Sequence, residues 1–191
     1  MQNSNTNTTI KTIKLLAILF ISALTFTACS DDDHDDDHDH EEELITTVNY
    51  TLTNGNDVIT LSFVDLDGEG GSDGTYSFSG NLSANTTYTG SIELLNETED
   101  PAEDITVEVK DEGDEHEFFY SSNITGVSVA KTDTDGDGNP IGIKTTLTTG
   151  DTGVGTLTIV LKHEPIKPND DTADNAGGST DVDVTFAISV Q

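Results

Sequence analysis

The C-terminal segment constrains the fold most. In Asp181-Val182-Asp183-Val184-Thr185-Phe186-Ala187-Ile188-Ser189-Val190 every second residue is apolar. That period places one face of a β-strand on a core and the other in water. The same alternation recurs upstream: Val48, Tyr50 and Leu52; Ile59, Leu61 and Phe63; Tyr76, Phe78, Gly80 and Leu82; Tyr88, Gly90, Ile92 and Leu94; Val127 and Val129; Ile143 and Leu147; Leu157, Ile159 and Leu161. About nine short strands separated by turn residues predict an all-β fold, an antiparallel sandwich or barrel of immunoglobulin-like or related type.

One stretch departs from this pattern. Asp100-Pro101-Ala102-Glu103 carries helix-start chemistry, with Asp as N-cap, Pro at the first helical position and Glu at the third. Ile105 and Val109 would share a helical face and Gly113 would close it, so a short helix is expected near 100–112, although Ile105 to Val109 also alternates as a strand would. Residues 44–191 have the length of one ordinary domain.

Charge excludes several functions. The chain has 37 acidic residues against seven lysines and no arginine, for a formal charge of −30. Nucleic-acid and nucleotide sites rely on guanidinium groups or a basic patch, and the sequence offers neither. Cations and basic surfaces are the partners such a field attracts. Catalytic signatures are also missing: there is no Gly-x-Ser-x-Gly elbow, no phosphate-cradling loop before a helix and no His-Glu-x-x-His. The expectation is a protein that binds rather than an enzyme.

The N-terminus reads as an export signal. Lys11 and Lys14 precede the apolar run Leu15–Leu24, which is shorter than the ~20 residues of a membrane-spanning helix. Phe26-Thr27-Ala28-Cys29 resembles the lipobox of bacterial lipoproteins, with Phe26 where Leu is commonest. The resemblance implies cleavage after Ala28 and diacylation of Cys29, the only cysteine. Residues 1–28 are then the signal peptide, and the lipid is the membrane attachment. Ser30-Asp31-Asp32-Asp33 directly after the cysteine resembles the surface-export signal of Bacteroidota lipoproteins, which implies the outer face of the outer membrane. The stretches 84–97, 114–119 and His163-Glu164-Pro165 are similar to a family of Bacteroidota surface lipoproteins with no activity to carry over. Such proteins are sometimes loosely labelled type 1 periplasmic-binding-fold; that label implies a doubly wound α/β protein, which the strand pattern contradicts.

Five histidines point to metal. His34, His38 and His40 sit among carboxylates in the acidic tract 29–43, which is expected to be an extended tether. Imidazole and carboxylate together suit Zn²⁺ or Cu²⁺, whereas an export signal needs only acid. His116 and His163 each adjoin glutamates: Glu115 and Glu117 flank the first, and Glu164 follows the second. If their strands are neighbours, they form a two-histidine, one-carboxylate metal site; otherwise they are two unrelated surface histidines.

Two weaker motifs complete the reading. Asp133, Asp135, Asp137 and Asn139, with Gly138 at the sixth position, resemble the first half of an EF-hand calcium loop, but Lys144 stands at position twelve where a bidentate Glu belongs. The same residues also make a polar hairpin turn. Asp171-Thr172-Ala173, in the long polar stretch between Pro165 and Ser179, resembles the O-glycan acceptor of exported Bacteroidota proteins and marks Thr172. The functional expectation is a surface lipoprotein that gathers divalent metal, zinc or copper, as an accessory to an outer-membrane importer or receptor. The alternative is a structural or adhesive surface domain whose loops calcium stiffens.

Overall fold

The computed structural model describes residues 43–67 and 73–191. The signal segment 1–28, Cys29 and the histidines His34, His38 and His40 lie outside the described residues. Glu43, expected as the last tether residue, is inside them, and its side chain is only 6% exposed within the domain.

Among the described residues ten strands form two antiparallel sheets. In chain order they are β1 (Thr47–Asn54), β2 (Asp57–Val64), β3 (Thr75–Phe78), β4 (Thr87–Asn96), β5 (Glu103–Asp104), β6 (His116–Ser122), β7 (Ser128–Lys131), β8 (Lys144–Thr148), β9 (Gly153–His163) and β10 (Ser179–Val190). The larger sheet runs β3-β2-β1-β4-β8-β7, with β5 also paired to β4; the smaller runs β10-β9-β6. The fold is the expected all-β, sandwich-like one, with two short helices among the described residues, α1 (Ile105–Asp111) and α2 (Ala173–Ala176). Among the described residues no helix is long and apolar enough to cross a membrane.

The alternation read from the sequence becomes most of the core, joined by Phe118 of β6, a strand not among those expected. Tyr50, Leu52, Leu61, Tyr88, Ile92, Leu94 and Leu147 bury one face of the larger sheet, and Phe118, Leu157, Ile159, Leu161, Val184 and Phe186 bury the facing side of the smaller. Each such side chain contributes about 1.5–3 kcal/mol on leaving water. Backbone hydrogen bonds also tie the two sheets together. Ile92 and Phe118 donate their N–H groups to the carbonyls of Ile143 and Ile141, joining β4 to β6, while Leu82 exchanges hydrogen bonds with Ser189 and Gln191 at the end of β10.

Two local expectations need correction. Tyr76 and Phe78 do not bury a strand face: they are 47% and 59% exposed, because β3 is a four-residue edge strand. Leu82, expected in the same strand, is buried beyond it through an isolated bridge to Val190. The helix near 100–112 exists but starts later. Glu103 and Asp104 are held extended by pairing with Asn96 and Leu95, so Asp104 rather than Asp100 is the N-cap, its carboxylate accepting from the Thr106 N–H at 3.1 Å. Ile105 and Val109 do share the buried face of α1.

Candidate metal centre

The centre stands where β6, β9 and β10 meet the segment that enters the domain. β6 and β9 pair directly, with His116 and His163 as cross-strand partners. Both side chains continue the inward rows of their strands, His116 in line with Phe118 and His163 with Leu161, and so are buried, at 0% and 6% exposure. Their rings stack at a 4.7 Å centroid separation, tilted by 14°.

Carboxylates close around them. His116 Nε2 is 3.3 Å from Glu43 Oε1 and 3.9 Å from Asp181 Oδ2, and His163 Nε2 is 3.6 Å from Glu115 Oε2. One ligand atom from each of Glu43, His116, His163 and Asp181 can be chosen so that all four lie within 4.8 Å of one another. Neither Glu43 Oε2 nor His116 Nε2 has a hydrogen-bond partner, although both are buried; such an atom forfeits its solvation for nothing unless something else binds it. His116 Nδ1 sits 3.2 Å from the carbonyl of Glu112. A carbonyl only accepts, so in a neutral imidazole Nδ1 carries the proton and Nε2 presents its lone pair to the carboxylates. Metal-binding histidines are oriented in this way.

Asp181 is the residue that alternation hides. In a regular strand it would share the solvent face with Asp183. The β10–β9 register instead shifts between Thr180 and Val182, leaving Asp181 as the extra residue of a bulge. Bulges re-aim side chains, and Asp181 is only 3% exposed while Asp183 is exposed. The preceding Gly177 and Gly178 have φ of +73° and +69°. A Cβ on Gly178 would stand 2.1 Å from the His163 carbonyl oxygen, so only glycine lets β10 begin this close to the centre.

The other glutamates beside the histidines go elsewhere. Glu117 is buried on the opposite face of β6, where it pairs with Lys131 Nζ and accepts from Asn169 Nδ2 at 2.7 Å. Glu164 is exposed past the end of β9. Glu115, which the sequence placed beside His116, lies instead against His163, with its Oε2 3.6 Å from His163 Nε2. The two carboxylates that complete the four-atom cluster, Glu43 and Asp181, come from the acidic tract and from a bulge, and no local sequence signal marked either.

The Asp133–Asn139 loop is closed as a turn by its own hydrogen bonds. Asp135 Oδ1 accepts from the N–H groups of Asp137 and Asn139 at 3.0 and 2.8 Å, and Asp133 Oδ1 accepts from the Gly142 N–H at 2.9 Å. Lys167 Nζ lies 3.4 Å from Asp135 Oδ2 and also donates to the carbonyls of Gly113 and His116. The Asp133 and Asp135 carboxylates thus accept from backbone donors, with the Lys167 ammonium beside Asp135 supplying positive charge. Burial pushes the Asp135 carboxyl up, but hydrogen bonds from Asn139 and Asp137 and the charge of Lys167 outweigh it and hold the group below the usual range. Thr172 is exposed at the N-cap of α2, and its hydroxyl donates to Asp170 Oδ1 at 2.5 Å.

No protein family matches this chain, and neither a curated protein nor a solved structure matches it.

Proposed function

We propose that this chain is a divalent-metal-binding protein whose principal site is His116, His163, Glu43 and Asp181, with zinc or copper as the ion. One observation carries the reading: two cross-strand histidines and two carboxylates converge in a buried cluster in which Glu43 Oε2 and His116 Nε2 have no hydrogen-bond partner. The spacing supports it. Around a tetrahedral ion with ligand distances of about 2.05 Å, ligand atoms stand about 3.3 Å apart. The His116–Glu43 separation is 3.3 Å, and the 3.9 Å to Asp181 needs only a small closure. Two nitrogens and two oxygens suit zinc or copper better than calcium or magnesium, which take all-oxygen shells. Four protein ligands leave a tetrahedral ion no open position, which favours holding metal over catalysis.

The remainder of the proposal rests on the sequence. Cys29 is the lipid attachment at the outer-membrane surface, His34, His38 and His40 gather metal weakly ahead of the domain, and an outer-membrane importer or receptor is the partner. The exposure of Thr172 supports the surface glycan expected there. The calcium-stiffened adhesive alternative loses support from the Asp133–Asn139 turn, in which the Asp133 and Asp135 carboxylates are already engaged by backbone N–H groups.

The test is calorimetric zinc titration of the full chain carrying His34→Asn, His38→Asn and His40→Asn, beside the same chain with His116→Asn and His163→Asn added. The expected result is one tight site in the first and its loss in the second. Equal binding by both would reject the domain site.

A further inference from the structure

The carboxylate of Glu43 belongs to two clusters. It stands with the histidine centre on one side, and its ligand oxygens also fall within 4.8 Å of those of Glu108 and Glu112 on the other. Glu108 lies in α1 and Glu112 caps its C-terminal end. Four residues apart, they share one face of the helix, and both are exposed. Three carboxylates at this spacing repel one another. The Glu43 side chain is only 6% exposed, and its Oε2 has no hydrogen-bond partner among the described residues. A solvated acidic face explains Glu108 and Glu112, but it does not explain a buried carboxylate oxygen without a donor between them and the histidines.

We propose that a second divalent cation binds outside the histidine centre, held by Glu43, Glu108 and Glu112, with the Glu43 carboxylate bridging the two ions. The proposal rests on reading the inner cluster as a metal site. Its ligands are all carboxylate oxygens, the donor set of harder ions such as Mn²⁺, Mg²⁺ and Ca²⁺, whereas the inner pair of imidazoles selects zinc or copper. Ions joined by a bridging ligand sit about 3.5–4 Å apart, a separation that one carboxylate spans with an oxygen on each. The outer ion meets solvent through Glu108 and Glu112 and exchanges readily, while the inner ion is enclosed. The bridge makes the outer position a loading point for the inner one.

The experiment uses the full chain in the His34→Asn, His38→Asn, His40→Asn background, loaded with one equivalent of zinc. Mn²⁺ is then titrated and its free concentration read by electron paramagnetic resonance. The chain should take up one manganese ion more than a Glu108→Gln, Glu112→Gln variant, whose zinc affinity should stay within about threefold of the parent because both inner histidines remain. Both glutamates are exposed, so the variant is expected to fold; circular dichroism checks this, and Glu112→Gln alone serves if it does not. Equal manganese uptake with zinc bound normally overturns the outer site and leaves the inner one standing. Zinc uptake unchanged by His116→Asn and His163→Asn overturns the inner site, and the bridge with it.

Discussion

His116 and His163 oppose each other across the β6–β9 ladder, with stacked rings and with His116 Nε2 turned toward Glu43 and Asp181. In a metal-free chain the Glu43 carboxylate is withdrawn from water with its Oε2 lacking a hydrogen-bond partner among the described residues, which costs free energy. An ion bound there would cross-link the start of the domain to β6, β9 and β10, and metal should therefore act on stability as well as on binding.

Saturating zinc should raise the melting temperature, and a chelator should lower it. At a free concentration of about 100 times Kd the gain is about 2.7 kcal/mol, worth roughly 5–10 °C for a domain of this size. Differential scanning calorimetry with and without chelator measures it. A shift that persists in the His116→Asn, His163→Asn variant would place the stabilising ion elsewhere.

Asp181→Ala removes one ligand but leaves the bulge backbone. We expect zinc affinity to fall at least about tenfold, or about 1.4 kcal/mol, with Val182, Val184 and Phe186 still buried. Asp183→Ala, its exposed neighbour, should leave zinc binding alone. Parallel zinc titrations of the two variants decide between a ligand and a general field of negative charge.

Tyr50 and Thr145 share a buried hydrogen bond of 2.7 Å, made possible by Gly90, whose Cβ would stand 2.2 Å from Thr145 Oγ1. Burial, only partly offset by that bond, pushes the Tyr50 hydroxyl up to about 12. The folded value lies above the unfolded one of ~10, so this contribution to stability is fully present below pH ~10 and is lost as pH rises toward 12. Tyr50→Phe should cost about 1–3 kcal/mol at neutral pH by stranding Thr145 Oγ1, and should lose less stability than the parent between those pH values. Denaturant unfolding across the range, with tyrosinate absorbance as the titration signal, checks both parts.

Asp135 gives the opposite pH dependence. Its carboxyl is held below the usual value in the folded chain, so its contribution is present above the unfolded value of ~3.9 and is lost as pH falls through the lower folded one. Asp135→Ala should destabilise by about 1–3 kcal/mol at neutral pH and by less in acid. Millimolar calcium should leave the parent's melting temperature unchanged, because backbone N–H groups and Lys167 already engage the loop. A clear calcium-dependent rise would restore the loop as a cation site.

The sequence by itself determined most of the strands and the inward rows that make the core, because a period of two can bury only one face; β6, which carries His116, was not among them, and β3 proved to be an exposed edge. The sequence also marked His116 and His163 as the domain's only imidazoles and put Ile105 and Val109 on one helical face. The tertiary structure decided what those histidines meet. Their pairing depends on the register between strands far apart in the chain, and no local pattern encodes that register. Asp181 joins them through a one-residue bulge that reverses its alternation, and Glu43 joins them because the end of a charged tract packs into the domain. The start of α1 was decided in the same way, by the pairing of Glu103 and Asp104 with β4, which overrode a helix-start signal at Asp100-Pro101. Local propensity acts within a few residues, whereas a binding cluster is assembled by backbone hydrogen bonds between distant ones.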